Sequence, residues 1–149
     1  MAGYKKKKWK GKEAAGTYIH REVYESKAFL ALKGAAPQVL IIIFGKRYFD
    51  TVDGKKTCTN CNSLSFTYIE AKKKYGITQP RLTRAIDELL AKGFITVKHP
   101  GGAYQQDKTI YGLSDQWKIW IPGKVFEKRI KDTRQRGFIK AKKEQPVKA

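Results

Sequence analysis

The sequence predicts an α+β fold: a helical core closed by a C-terminal β-hairpin, with flexible basic arms at both ends. Three observations predict it. Residues 78–92 place apolar side chains at helical spacing, residues 94–113 alternate around a Pro-Gly-Gly turn, and positive charge gathers outside these segments. The 149 residues suit one compact domain with flanking segments. The expected division is a basic arm over 1–16, a domain over 17–121 and a basic, partly helical extension over 122–149.

The first 16 residues are rich in Lys and Gly and read as disordered. Thr17–Tyr24 holds β-formers and reads as a short strand. Ser26 is a good N-cap for a helix over Lys27–Lys33, closed by Gly34. Pro37 sits in the first turn of a second helix reaching about Tyr48. Its Val39, Leu40, Ile42, Ile43 and Phe44 are apolar nearly all round, so it should be the buried centre. A buried strand at Val39–Phe44 is the alternative, because β-branched residues dominate that run.

Asp50–Asn62 reads as a loop by composition. It holds Cys58 and Cys61 in a C-x-x-C. Half a zinc site needs two further ligands, and the chain has only His20 and His99, each isolated. Two free loop thiols are therefore expected, with no metal and no cofactor. A thioredoxin-like role would need a βαβ pattern, which the sequence lacks.

Leu64–Phe66 reads as a short strand. Thr67 to Glu70 matches a capping box, with Thr67 capping and Glu70 reaching back. The helix should run through Tyr75 and stop at Gly76. Ile77 turns inward, Thr78 caps the next helix, and Pro80 lies in its first turn. Leu82, Ala85, Ile86, Leu89 and Leu90 form one apolar face of that helix, which ends at Gly93. Two helices across a three-residue turn form a helix-turn-helix layout, and a hairpin over Phe94–Leu113 makes it winged.

The opposite face of the second helix carries Gln79, Arg81, Thr83 and Arg84 near its start, with Thr78 at the cap. A helix entering a major groove puts such groups at its N-terminal end. Arg can grip guanine O6 and N7, and Gln can do the same for adenine N6 and N7. On the hairpin, Lys98, His99, Tyr104 and Lys108 are the expected contacts to phosphates or a minor groove. Lys72 and Lys73 are further phosphate candidates, against the plainer reading of a solvated helix face. Tyr68, Tyr75, Phe94, Tyr111 and Trp117 read as packing groups.

The net charge is +19, from 32 Lys and Arg against 13 Asp and Glu. Such self-repulsion has no core-building purpose and points to a polyanionic partner. Residues 1–12 carry six Lys and no acid, among them Lys5, Lys6, Lys7 and Lys8. Residues 124–149 carry ten Lys and Arg against three acids, so the two ends hold +13 of the total. Such arms are either solvated tails or sequence-independent phosphate contacts with strong salt dependence.

The run GITQPRLTRAIDELLAKGFITV resembles the helix-turn-helix and first wing strand of winged-helix proteins of bacteria, archaea and mobile elements. Thr78, Arg81, Thr83, Arg84, Ala85, Ile86, Glu88, Leu89, Gly93, Phe94 and Ile95 fall at positions of that pattern. SKAFLALKGAAPQVLIIIFGKRY and YGLSDQW resemble the opening helix pair and closing strand of a subgroup found in plasmid- and phage-like genes. The likeness spans Ser26 to Trp120. It departs at Arg81, where the pattern has Thr, and in the longer Asp50–Asn62 loop.

The resemblance implies double-stranded DNA binding, as a transcriptional regulator or mobile-element protein. A replication-initiation or partition protein and an RNA-binding basic protein are the alternatives. A homodimer would extend the limited DNA surface that one winged helix buries. No P-loop, H-E-x-x-H or carboxylate cluster is present, so an enzyme is not expected. The longest apolar run, Val39–Phe44, is far short of the ~20 residues that span a bilayer. No apolar stretch follows the basic N-terminus, so a cytoplasmic protein without membrane contact is expected.

Overall fold

A computed structural model describes residues 16–102 and 106–129. Among them the fold is mixed α+β, with five α-helices and two small antiparallel hairpins. The order is α1 (Arg21–Tyr24), α2 (Lys27–Leu30), α3 (Ala36–Gly45), β1 (Phe49–Val52), β2 (Lys55–Cys58), α4 (Tyr68–Tyr75), α5 (Gln79–Ala91), β3 (Ile95–His99) and β4 (Ile110–Leu113). A 3-10 turn over Gln116–Ile119 follows. No helix among the described residues is long and apolar enough to cross a membrane.

The core forms where α3 lies against α5. Val39, Leu40 and Ile43 of α3 and Leu82, Leu89 and Leu90 of α5 are buried. Phe94 extends this core beyond α5 and stacks on Trp117, with ring centroids 5.8 Å apart and planes 12° from parallel. Ala28, Ala36 and Ala71 sit at 0% exposure, where small side chains let the short helices approach closely. The helix reading of Val39–Phe44 holds. Yet α3 is not apolar-sheltered all round, because Gln38, Ile41 and Gly45 face solvent at helical spacing.

Several expected boundaries change, each for a local reason. Thr17–Tyr24 forms no strand. The His20 carbonyl accepts from the Val23 N–H at 3.0 Å, opening α1, while the Arg47 guanidinium holds the Tyr18 carbonyl at 2.6 Å. Helix α2 starts after Ser26, whose hydroxyl accepts from the Phe29 N–H at 3.1 Å, but stops at Leu30 rather than Lys33. Helix α3 stops at Gly45 rather than near Tyr48. Asn60 intercepts it there, accepting from the Tyr48 N–H at 2.7 Å and donating to the Lys46 carbonyl at 2.9 Å.

The Asp50–Asn62 loop proves to contain a hairpin. β1 pairs with β2 from Phe49↔Cys58 to Val52↔Lys55, around Asp53 and Gly54, both at positive φ (51° and 76°). Asp-Gly at positive φ fits the twist of a two-residue hairpin, a signal that outweighs the polar composition around it. Cys58 and Cys61 are joined as a disulfide rather than left as free thiols. The hairpin brings the two cysteines to the same corner, where Thr59 and Asn60 tie the chain back to Tyr48.

The second hairpin pairs β3 with β4 from Ile95↔Leu113 to His99↔Ile110, with an irregular register between Val97 and His99. Leu64 adds a bridge to Tyr111, exchanging both backbone bonds at 3.0 and 2.7 Å. The expected Leu64–Phe66 strand is thus a single bridged residue beside β4. Thr96 Oγ1 is buried with no hydrogen-bond partner among the described residues.

Two stability measurements check this packing. Leu89→Ala should cost about 2–5 kcal/mol in urea denaturation, because a fully buried leucine leaves a cavity. Thr96→Val should raise stability by up to about 1 kcal/mol, since it removes a buried hydroxyl that has no partner among the described residues.

Candidate nucleic-acid interface

The site is built on α4, its turn and α5. Thr67 Oγ1 accepts from the Glu70 N–H at 3.2 Å, the first half of the expected capping box. The second half is absent. The Glu70 carboxylate takes Lys46 Nζ at 2.5 Å instead, since an ammonium is a stronger partner than a backbone amide. Gly76 ends α4 at φ 65°, with its N–H on the Lys72 carbonyl (3.1 Å) and the Ile77 N–H on the Ala71 carbonyl (3.0 Å). This left-handed closure drives Ile77 inward to 1% exposure and redirects the chain into α5.

Helix α5 begins after Thr78, whose side chain makes no capping bond, and holds Pro80 in its first turn. Its apolar face is committed to the core, so Gln79, Arg81 and Arg84 are exposed. Neither arginine makes an ion pair among the described residues. The acids further along are engaged elsewhere. Asp87 pairs with Arg129 at 3.0 Å and Glu88 with Lys92 at 2.6 Å. Thr83 is half-buried, and its hydroxyl lies 3.2 Å from the Tyr68 hydroxyl. Tyr68 is therefore a surface group, 42% exposed, and not the core or hairpin packing group expected. Tyr75, Phe94, Tyr111 and Trp117 do pack in or against the core.

Beside Arg81 and Arg84 runs a groove whose far wall is Lys33, Gly34 and Ala35. Lys33 is a cation that sequence reasoning did not place at the site. Gly34, at φ 59°, turns the chain there, but nothing in the local pattern says which helix that turn will face. Lys72 and Lys73 are exposed at the C-terminal end of α4, where they also complement the helix dipole.

The β3–β4 hairpin carries the remaining residues. Lys98 and Lys108 are exposed. The stem of Lys98 crosses Gly112, where an added Cβ would meet its Cε at 2.6 Å. His99 Nε2 lies 2.7 Å from Asp107 Oδ1, and Thr109 Oγ1 donates to the Pro100 carbonyl at 2.9 Å. His99 thus braces the turn. Gly101, at φ 69°, approaches the Lys108 and Thr109 backbone so closely that a Cβ would sit 2.6 Å from Thr109 N. Tyr104 and Lys5, Lys6, Lys7 and Lys8 lie outside the described residues.

Burial pushes the Tyr111 phenol up to about 12. Among the described residues no three His, Cys, Asp or Glu side chains gather as metal ligands. No protein-family model matches the chain, and no curated protein or solved structure matches it.

Tyr111 gives a test of how the hairpin is held. A phenol with a folded pKa raised above its unfolded value of ~10 stabilises fully below that value. The contribution is lost as pH rises from ~10 toward 12. Tyr111→Phe should therefore flatten the alkaline fall in stability, measured as the difference between the two proteins in urea melts from pH 8 to 12.

Proposed function

We propose that this chain is a winged helix-turn-helix protein that binds double-stranded DNA at chosen sites, as a transcriptional regulator or mobile-element protein. In this reading α4 and α5 are the helix-turn-helix, β3 and β4 the wing, and the Leu64 bridge the short third strand beside it. The observation that carries it is the outward face of α5. Arg81 and Arg84 stand exposed and outside any ion pair among the described residues, on a helix whose other face is fully committed to the core.

Helix α5 has 13 residues, a length of about 20 Å at 1.5 Å per residue. That is enough for its first two turns to enter a major groove about 12 Å wide. There Gln79, Arg81 and Arg84 read base edges, and Thr78 and Thr83 offer hydroxyls. Lys33, Lys72, Lys73, Lys98 and Lys108 neutralise phosphates. The sequence resemblance of Thr78–Ile95 to winged-helix proteins supports the same assignment. Base readout and phosphate contact divide the work: the first chooses a site, the second supplies salt-sensitive affinity.

Selection of bound sequences from a random duplex pool tests binding, specificity and half-site symmetry together. On the selected site, Arg84→Ala should lower discrimination against random duplex by about 1–3 kcal/mol. Equal losses on both duplexes would reassign Arg84 to the backbone. Structured RNA outcompeting duplex DNA at physiological salt would overturn the DNA reading.

A further inference from the structure

After the 3-10 turn the chain does not leave the domain. From Ile121, beside Ser26 and Lys27, it doubles back and runs against α5 and β3. We propose that Lys124–Arg129 is a strap that fixes the exit of the basic C-terminal segment beside the outward face of α5. The cations that follow then engage phosphates of the same duplex that α5 reads. This rests on the DNA-binding reading above.

Three residues build the strap. The Phe126 N–H donates to the Ala91 carbonyl at 2.9 Å, using an acceptor left over at the end of α5. The Phe126 ring lies over Gly93, where an added Cβ would sit 2.8 Å from Cδ2; Gly93 is at φ 80°. Glu127 Oε1 accepts from the Val97 N–H at 3.2 Å, occupying a donor of β3. Arg129 Nε donates to Asp87 Oδ1 at 3.0 Å. The contacts to α5 move from Ala91 to Asp87 as the chain proceeds from 126 to 129. The strap therefore runs antiparallel to α5, toward the end that holds Arg84 and Arg81.

Two consequences follow. Arg129 neutralises Asp87, an acid one helical turn from Arg84 that would otherwise face phosphate oxygens. Donating that hydrogen bond to Asp87 in turn keeps the Arg129 pKa raised. Past Arg129 the sequence holds seven Lys and Arg against two acids in residues 130–149. Starting that segment beside α5 raises its effective concentration at phosphates flanking the site. Had the chain left at Ile121, its origin would lie beside α2 instead.

The test uses one short duplex selected by the full chain, with binding measured across salt and hydroxyl-radical footprints taken. A chain ending at Arg129 should bind at least tenfold more weakly at low salt. Its slope of log affinity against log salt should flatten by about 0.9 for each phosphate that the tail cations no longer neutralise. The Phe126→Ala, Glu127→Ala double variant keeps every tail cation, so its flanking protection should spread rather than vanish, while circular dichroism reports its fold. Arg129→Gln should weaken binding more than Asp87→Asn with Arg129→Gln together, a readout independent of strap packing. An unchanged slope and footprint in the shortened chain overturns this inference alone. So does an unchanged footprint in the folded double variant, or equal weakening with and without Asp87→Asn. If the full chain binds no duplex, the DNA reading falls and this inference with it.

Discussion

The packing of α5 against α3 is the constraint on which the rest of the structure depends. Leu82, Ile86, Leu89 and Leu90 leave that helix no rotational freedom, because turning it would expose them and bury Arg81 or Arg84. Side-chain orientation on the surface is thus fixed from the inside. The closure at Gly76 and Ile77 sets the angle at which α4 enters this arrangement. Phe94 and Trp117 set the start of the β3–β4 hairpin.

Charge is handled in layers. Where acids lie close to the core helices they are paired: Glu70 with Lys46, Glu88 with Lys92, Asp87 with Arg129. Exposed pairs of this kind contribute little stability. The pairs at Asp87 and Glu88 cancel negative charge beside the exposed Arg81 and Arg84. Among the described residues, Lys33, Lys72, Lys73, Lys98 and Lys108 are exposed, where water screens their mutual repulsion and limits its cost to the fold. A strongly basic chain can in this way keep an ordinary hydrophobic core.

What was legible in the sequence was local. Thr67, Gly76, Pro80 and the leucine spacing of residues 82–90 each act within one or two turns of helix, and the structure places α4, its turn and α5 within a residue or two of expectation. The hairpin after Gly93 was legible for the same reason. The Asp53-Gly54 turn carried an equally local signal, but the lysines and threonines around it masked the alternation of a strand exposed on both faces. Residues brought together from far apart were not legible. Arg129 meets Asp87 across 42 positions, Glu127 meets Val97 across 30, and Lys33 faces Arg84 only because α3 packs as it does. The Tyr68 ring was misplaced because its neighbour Thr83 lies on the outer side of α5, a fact set by the core rather than by Tyr68 itself.

Gly93 has a meaning for the order in which the molecule is completed. The end of α5, the 3-10 turn and the strap meet at this one residue: a Cβ there would touch Gln116 at 2.6 Å as well as Phe126. Trp117, Trp120 and Phe126 come late in the chain, yet they cover Phe94 and Lys92 in the centre of the domain. During synthesis, α3, α4 and α5 emerge first but cannot be sealed until about residue 126 has left the ribosome, because domains fold as units. The cationic segment follows immediately. The sealing residues 117–126 thus emerge between two basic segments, the lysines of residues 1–12 made before the domain and the cations of residues 130–149 after it.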